Sequence, residues 1–282
     1  MTSIPTTTVT SPTAWSPDVQ AFLAGDVVAD ALINKAATVV TQQLEGDSPV
    51  ARIPWVDDAA AEFVAEGAEI EESVPALAEI TIPTAKIAQL IPISREQFHQ
   101  NGTSGLLSTS VARAIIKRAN QAFLSQAKPE DDAITPPEGI ITQAGVISED
   151  TITTNLDPLA EVVGTIEEFG GTPSLIVAAP GAWATLRTIK TETGAATSLL
   201  GAGTSDAEKR LLSIPVVVSP AVPAGKLIVI DPSAIAAAVG NVMIAQSEHL
   251  YFANDSIALR ATWRIGWKVA HKNRLGVLTV GA

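Results

Sequence analysis

The most regular hydrophobic pattern in the chain has a period of two and lies near its C-terminus. Leu259, Ala261, Trp263, Ile265, Trp267 and Val269 alternate with Arg260, Thr262, Arg264, Gly266, Lys268 and Ala270. Such alternation predicts a strand with one buried face. Gly276 to Val280 can add a last strand. A second extended run covers Leu77 to Ile93, where Ile80 and Ile82 alternate with Glu79 and Thr81. Pro83 and Pro92 each remove a ladder donor there, so this strand lies at a sheet edge or passes between two pairings. The helical period appears between them in sequence. Leu107, Val111, Ile115 and Ala122, with Ile116 and Phe123 beside them, predict a long helix starting near Thr103 or Ser104. Arg113, Lys117 and Arg118 fall mainly outside its apolar stripe.

Other segments read less sharply. Asp18 to Leu44 has a rough apolar face (Phe22, Leu23, Val27, Leu32, Val39) and predicts a helix. Glu45 to Pro49 is a turn signal, Val50 to Val56 a short strand, and Asp57 to Pro75 an acidic, Ala-rich stretch broken by Gly67 and Pro75. Ser94-x-x-Gln97 has the capping-box form and starts a short helix that stops at Asn101-Gly102. Lys128 to Gly139 is a loop. From Asn155 helices and strands alternate. Asp157-Pro158 opens a helix ended by Gly170, Ser174 to Ala179 is a buried strand, and Pro180 to Lys190 is a helix. Thr191 to Ser205 is a Gly/Ala/Thr-rich loop, and Asp206 to Leu212 a short helix. Ile214 to Ser219, Lys226 to Ile230 and Val242 to Gln246 are strands. The class is α+β, without a repeat.

Composition narrows the function. The 282 residues are 46 % hydrophobic and 17 % charged, which is globular rather than disordered. A net charge of −12 argues against a protein that wraps nucleic acid by neutralising phosphates, but not against a shell that merely encloses it. The absence of cysteine excludes disulfides, thiolate metal sites and cysteine nucleophiles. Met1 to Pro17 is rich in Thr, Ser and Pro and lacks the form of a signal peptide. The most apolar stretch, Lys226 to Ala245, is broken by Asp231-Pro232 and Gly240-Asn241, so no membrane span is expected.

Candidate chemistry is sparse. His99, His249 and His271 are far apart and form no ligand-like cluster. Gly201-Ala202-Gly203 precedes a helix-like segment but lacks the third glycine of a dinucleotide loop. Glu167 and Glu168 are adjacent on a helix and point in different directions, which suits solvent better than paired acid–base work. No Gly-x-Ser-x-Gly elbow occurs. Trp55, Trp183, Trp263 and Trp267 read as core or interface anchors. No catalytic, cofactor-binding or metal residue is assigned, no cofactor is implied, and an enzyme is not expected.

Several pieces, in order, resemble the major capsid proteins of tailed bacteriophages with the Hong Kong-97-type fold. They are Phe63-Val64-Ala65-Glu66-Gly67, Lys86-Ile87-Ala88 through Ile93-Ser94-Arg95-Glu96, Ala122-Phe123-Leu124 and Pro137-Glu138-Gly139-Ile140-Ile141. Further on come Pro180-Gly181-Ala182-Trp183-Ala184-Thr185-Leu186, Ile214-Pro215-Val216-Val217, Pro223-Ala224-Gly225-Lys226 and Arg260-Ala261-Thr262-Trp263-Arg264. No one piece is specific; order and spacing over Val50 to Val280 carry the likeness. The resemblance implies an N-terminal arm (1–45), an extended E-loop hairpin (46–85), a peripheral domain with a long spine helix (86–154), an axial domain (155–256) and return strands of the peripheral domain (257–282). It implies self-assembly as hexamers and pentamers into an icosahedral shell around phage double-stranded DNA, enclosed without sequence-specific binding. It also implies a portal protein and a possible decoration protein as partners, residence in the virion, and assembly in the host cytoplasm. Only about forty residues precede the hairpin, so a separate scaffolding protein is expected. An encapsulin-type nanocompartment shell shares the fold, and a soluble α+β nucleotide-using enzyme is the reading from another class.

Charge is segregated along the chain. Asp57, Asp58, Glu62, Glu66, Glu69, Glu71, Glu72 and Glu79 lie between Ile53 and Ala85, a span with no Lys or Arg. Ser256 to Ala282 carries Arg260, Arg264, Lys268, Lys272 and Arg274 and no acid. Two readings stand: two solvated faces, or an acidic hairpin lying across the basic strand of a neighbouring subunit. In the second, Trp55 and Phe63, with Ile53, Val64 and Ile70, supply apolar contact. Reversing the charge of Arg264 and Lys268 together is then expected to impair assembly and leave the monomer folded, as read by particle yield and circular dichroism. Some relatives weld subunits through a hairpin lysine. There is no lysine between Arg52 and Lys86 here, so a denaturing gel of assembled protein is expected to show monomer without a ladder of covalent multimers.

Overall fold

In the computed structural model the residues described are 19–22, 30–41, 50–57, 76–98, 103–130, 133–190, 198, 200 and 209–281. In chain order the elements begin with strand β1 (Val19–Phe22), a one-turn helix α1 (Ile33–Ala36), β2 (Thr38–Thr41), β3 (Val50–Asp57) and the long β4 (Ala76–Ser94). Then come α2 (Arg95–Phe98), the long helix α3 (Thr103–Ser125), α4 (Ile140–Gln143), β5 (Val146–Ile152), α5 (Asp157–Glu168), β6 (Leu175–Ala178) and α6 (Pro180–Thr188). The chain closes with β7 (Arg210–Leu211), β8 (Ile214–Val218), β9 (Lys226–Ile230), β10 (Ile235–Tyr251), β11 (Ser256–Val269) and β12 (Leu275–Val280).

Two sheets organise these elements. The first has the order β1-β10-β11-β4-β3, with β2 also paired to β10. The second has the order β5-β12-β9-β6-β8-β7. In the second sheet β6 and β9 are buried almost throughout, as continuous apolar runs such as Leu175-Ile176-Val177-Ala178 require. Helix α5 covers β12 with Leu159, Val162 and Ile166. Gly276 leaves room for Val162, whose Cγ1 a side chain at that position would strike.

The sheets meet where β9 leads into β10 and β11 into β12. Asp231 is buried there. Its Oδ1 accepts bonds from the Ser233 amide (2.9 Å) and hydroxyl (2.7 Å), and its Oδ2 accepts from the Thr172 amide at 3.0 Å. The residue that interrupts the apolar run in the sequence thus caps the turn at Pro232–Ala234.

Helix α3 buries Val111, Ile115, Ala119, Ala122, Phe123 and Leu124 and exposes Arg113, Lys117 and Arg118, following the periodic stripe. Phe123 meets Trp267 of β11 edge-on, with ring centroids 5.4 Å apart at 81°. The Trp267 indole donates to the Glu138 carbonyl at 2.8 Å, and the Trp263 indole donates to the Gly240 carbonyl at 2.9 Å. Both tryptophans are core anchors of β11.

Four expectations differ from the structure. The helix over 18–44 is absent from the described residues, which form β1, one turn of α1, and β2. Pairing with β10 captures β1 and β2, and Thr38-Val39-Val40-Thr41 is a β-branched run suited to a strand. The end of the helix expected over 206–212 is instead β7, joined to β8 by Leu212-Ser213, both with positive φ (46° and 67°). This tight hairpin lacks the Asn-Gly or Asp-Gly that advertises such a turn. The strand expected over 242–246 is the middle of β10, which begins at Ile235. Finally, the expected spans do not follow the sheets. Residues 235–251 pair with β11 in the first sheet, although they fall within 155–256, and β12 joins the second sheet although it falls within 257–282. The loop expected over 191–205 lies mostly outside the described residues, as does the 58–75 part of the acidic stretch.

The proline-bearing strand resolves as a passage between pairings. β4 pairs with β3 from Ala76 to Pro83 and with β11 from Thr84 to Ser94. Gly266 faces the handover, where a Cβ would run into the Pro83 carbonyl oxygen. Replacing Gly266 by Val is therefore expected to lower subunit stability by about 1–3 kcal/mol, read as a fall in Tm. By contrast Gly164 in α5 has nothing within 4 Å of an added Cβ, so Gly164→Ala is expected to hold or raise Tm.

Candidate assembly interface

The hairpin formed by β3 and β4 starts from that handover. Among the described residues strand pairing gives β3 one partner, β4, from Val50↔Pro83 to Asp57↔Ala76. Pro54 is tolerated because β3 is an edge strand. Arg52 and Glu79 form a cross-strand ion pair at 3.3 Å on an exposed surface, worth about 0–1 kcal/mol. Glu79 therefore has a partner inside its own hairpin. Trp55 and Asp57 stand in β3 opposite Ala78 and Ala76. Asp58, Glu62, Phe63, Glu66, Glu69, Glu71 and Glu72 lie outside the described residues.

The five C-terminal cations separate into two groups. Arg260, Arg264 and Lys268 share one face of β11, opposite the face that buries Ala261, Trp263, Ile265 and Trp267. Arg260 and Lys268 are exposed and Arg264 is half-buried, its Nη1 donating to Thr84 Oγ1 at 3.0 Å. Thr84 is itself buried, so this bond fixes Arg264 at the base of the hairpin. Lys272 and Arg274 leave the strand. Lys272 is exposed in the turn before β12, and Arg274 Nε donates to the Phe169 carbonyl at 3.2 Å, just past the end of α5. That position is typical for a cation closing a helix C-terminus.

One cation of this face was missing from the expected set. Lys86 on β4 stands directly opposite Arg264 on β11. It belongs to the same extended run as Pro83, but its register with Arg264 is a tertiary fact that spacing does not reveal. Lys86, Arg118 and Arg264 line one groove of about 620 Å³ along β4, together with Thr84, Gln126 and Trp267. Among the described residues that line it there is no Asp or Glu.

A second surface is apolar. The β10–β11 hairpin ends in Leu250 (58 % exposed) and Phe252 (80 % exposed). Arg95, the first residue of α2, steadies this end by pairing with Asp255 at 2.9 Å and Glu248 at 3.4 Å.

The chemical candidates behave as solvated or structural groups. Glu167 and Glu168 are exposed at the end of α5, His249 is exposed, and Trp183 packs against the core. His99 and the Gly201-Ala202-Gly203 segment lie outside the described residues. Among the described residues no cluster of three or more His, Asp or Glu could hold a metal ion, and no helix is long and apolar enough to cross a membrane.

Comparison with known proteins places this architecture. Similar solved chains include one from Gordonia phage Cozz (18 % identity, TM-score 0.68, covering 89 % of this chain and 87 % of that one). Another is from Mycobacterium phage Bobi (14 %, TM-score 0.66, 89 % and 91 %). A third comes from the capsid of an empty GTA particle (17 %, TM-score 0.66, 99 % and 96 %). At these identities the likeness establishes the fold, the Hong Kong-97-type capsid fold. No curated protein matches the chain. The family model described as "Phage capsid family" matches residues 9–280, and by that match the chain belongs to the phage capsid family and is a structural protein of the virion shell rather than an enzyme.

Proposed function

We propose that this chain is the major capsid subunit of a double-stranded DNA tailed phage, assembling as hexamers and pentamers into an icosahedral shell. The observation that carries the reading is the hairpin of β3 and β4, whose outer half is a two-stranded ladder leaving the body at Pro83. Two strands alone are marginally stable in water. From Asp57, at the end of β3, to Glu72 the chain carries seven acids and no Lys or Arg, while β11 presents three cations on one face. An acidic hairpin from one subunit crossing the cationic face of the next completes both. In this reading 1–45 is the arm, 46–85 the clasping hairpin, the first sheet with α3 the peripheral body, and the second sheet the axial body. The exposed Phe252 tip is a second contact between subunits. A scaffolding protein, a portal and a decoration protein are the further partners, and assembly takes place in the host cytoplasm. DNA is enclosed without sequence reading, in keeping with the net charge of −12.

Electron microscopy of the purified protein, alone and with its scaffold, is the test. Hollow icosahedral particles are expected. A monomer that binds a small ligand saturably would overturn the reading in favour of an enzyme, and particles that co-purify with a cargo enzyme and hold no DNA would replace the phage shell with a nanocompartment.

A further inference from the structure

The chain passes between the two sheets three times. It goes from α3, which packs on the first sheet, to β5 through residues 126–145, from β9 to β10 through 231–234, and from β11 to β12 through 270–274. The three passes meet and are bonded to one another. The Ala270 and His271 amides donate to the Ala234 carbonyl at 2.8 and 3.3 Å, and the Asp231 amide donates to the Arg274 carbonyl at 3.3 Å. These bonds tie the second pass to the third. The Gly145 amide donates to the Lys272 carbonyl at 2.8 Å and ties the first pass to the third. Thr38 Oγ1 donates to the Pro232 carbonyl at 3.0 Å, which brings β2 to the same point.

Asp231 sits at the centre. It is the one buried ionisable side chain among the described residues. Its two oxygens serve different sides of the joint. Oδ1 holds Ser233, in the turn that enters β10 of the first sheet. Oδ2 is held by the Thr172 amide, in the segment that enters β6 of the second sheet. Sheets linked by short segments swing by default. Here each linking segment is bonded to another, and one carboxylate bridges the two sides.

We infer that this joint is a rigid elbow, with the Asp231 carboxylate as its strut, that fixes the angle between the sheets and with it the curvature each copy imposes on the shell. This rests on the capsid reading above and names the residues that set subunit shape. Asp231 is a positioning residue: it acts through the orientation of the second sheet. In a closed shell one angle recurs in every copy, so a spread in subunit shape becomes a spread in shell diameter.

The chain has no cysteine, so label pairs can be placed cleanly. Spin labels at Leu90→Cys on β4 and Ala160→Cys on α5, both exposed positions, report the angle in the unassembled subunit. A single narrow distance distribution is expected in the otherwise native chain. Asp231→Asn replaces one of the two accepting oxygens by a donor and is expected to widen that distribution by about twofold. It is also expected to widen the spread of shell diameters in electron micrographs. Gly145→Ala is expected to do the same, because its Cβ would run into Asn273 Oδ1 and the Lys272 backbone, and it carries the test if Asp231→Asn does not fold. Ile115→Val, a buried change in α3 outside the three passes, is the control: a lower Tm is expected, with both spreads unchanged. A distribution as narrow in both joint variants as in the native chain overturns the elbow. Equal widening in Ile115→Val also overturns it, by assigning the effect to stability alone. Widened distances with a native spread of diameters overturn the link to curvature. A narrow native distribution, widened by the joint variants, in a chain that forms no particles even with its scaffold leaves the elbow standing and removes the capsid reading.

Discussion

The exchange of partners along β4 is the constraint on which the rest of the molecule depends. The 19-residue strand β4 changes its neighbour partway along its length. β11 continues to Val269 beside β10, but its pairing with β4 stops at Gly266, and from Pro83 outward β4 is paired with β3 instead. The absence of a side chain at Gly266 lets the two backbones approach at the point of divergence. The bond from Arg264 to buried Thr84 lies at that point of divergence. Body and hairpin are therefore joined by one continuous strand.

That geometry makes the isolated subunit incomplete in two complementary ways. The outer ladder has two strands and exposed ion pairing, too little to define a core of its own. The body, in contrast, is anchored by the buried side chains of Trp263, Trp267 and Phe123. It carries instead a row of cations along one face of β11. Folding and assembly are thereby separate problems: the first is decided by apolar burial within the chain, the second by complementarity between chains.

The sequence displayed those parts whose signal is local. The alternation at 259–269, the 3.6-residue stripe of α3, and the prolines of β4 each stated their structural consequence, including the passage of β4 between pairings. What it withheld depends on contacts distant in sequence. β1 and β2 are strands because β10 offers them a ladder, and a helical apolar period over 18–44 cannot report that. The Leu212-Ser213 turn takes two positive φ angles without Gly or Asn, so composition pointed elsewhere. For the interface, grouping by chain position put five cations together. The fold keeps Arg260, Arg264 and Lys268 on one face, sends Arg274 to close α5 and Lys272 to a turn, and adds Lys86 from β4. Sequence proximity within a strand was informative; proximity across a turn was not.

Weakness of the individual contact is compatible with a durable shell. An exposed ion pair contributes about 0–1 kcal/mol, and salt screens it over about 8 Å at physiological ionic strength. A subunit joined by one such contact leaves readily, which lets a misplaced copy be exchanged. A subunit joined in correct register makes the contact as donor and as recipient, and closure multiplies it over every copy. In the proposed assembly charge selects register and partner, whereas apolar residues such as Phe252 add area once register is found. Strong, desolvated pairs at the same positions would fix errors in place. The surface exposure of Arg260 and Lys268 thus suits the proposed contact, which is tested many times before it is kept.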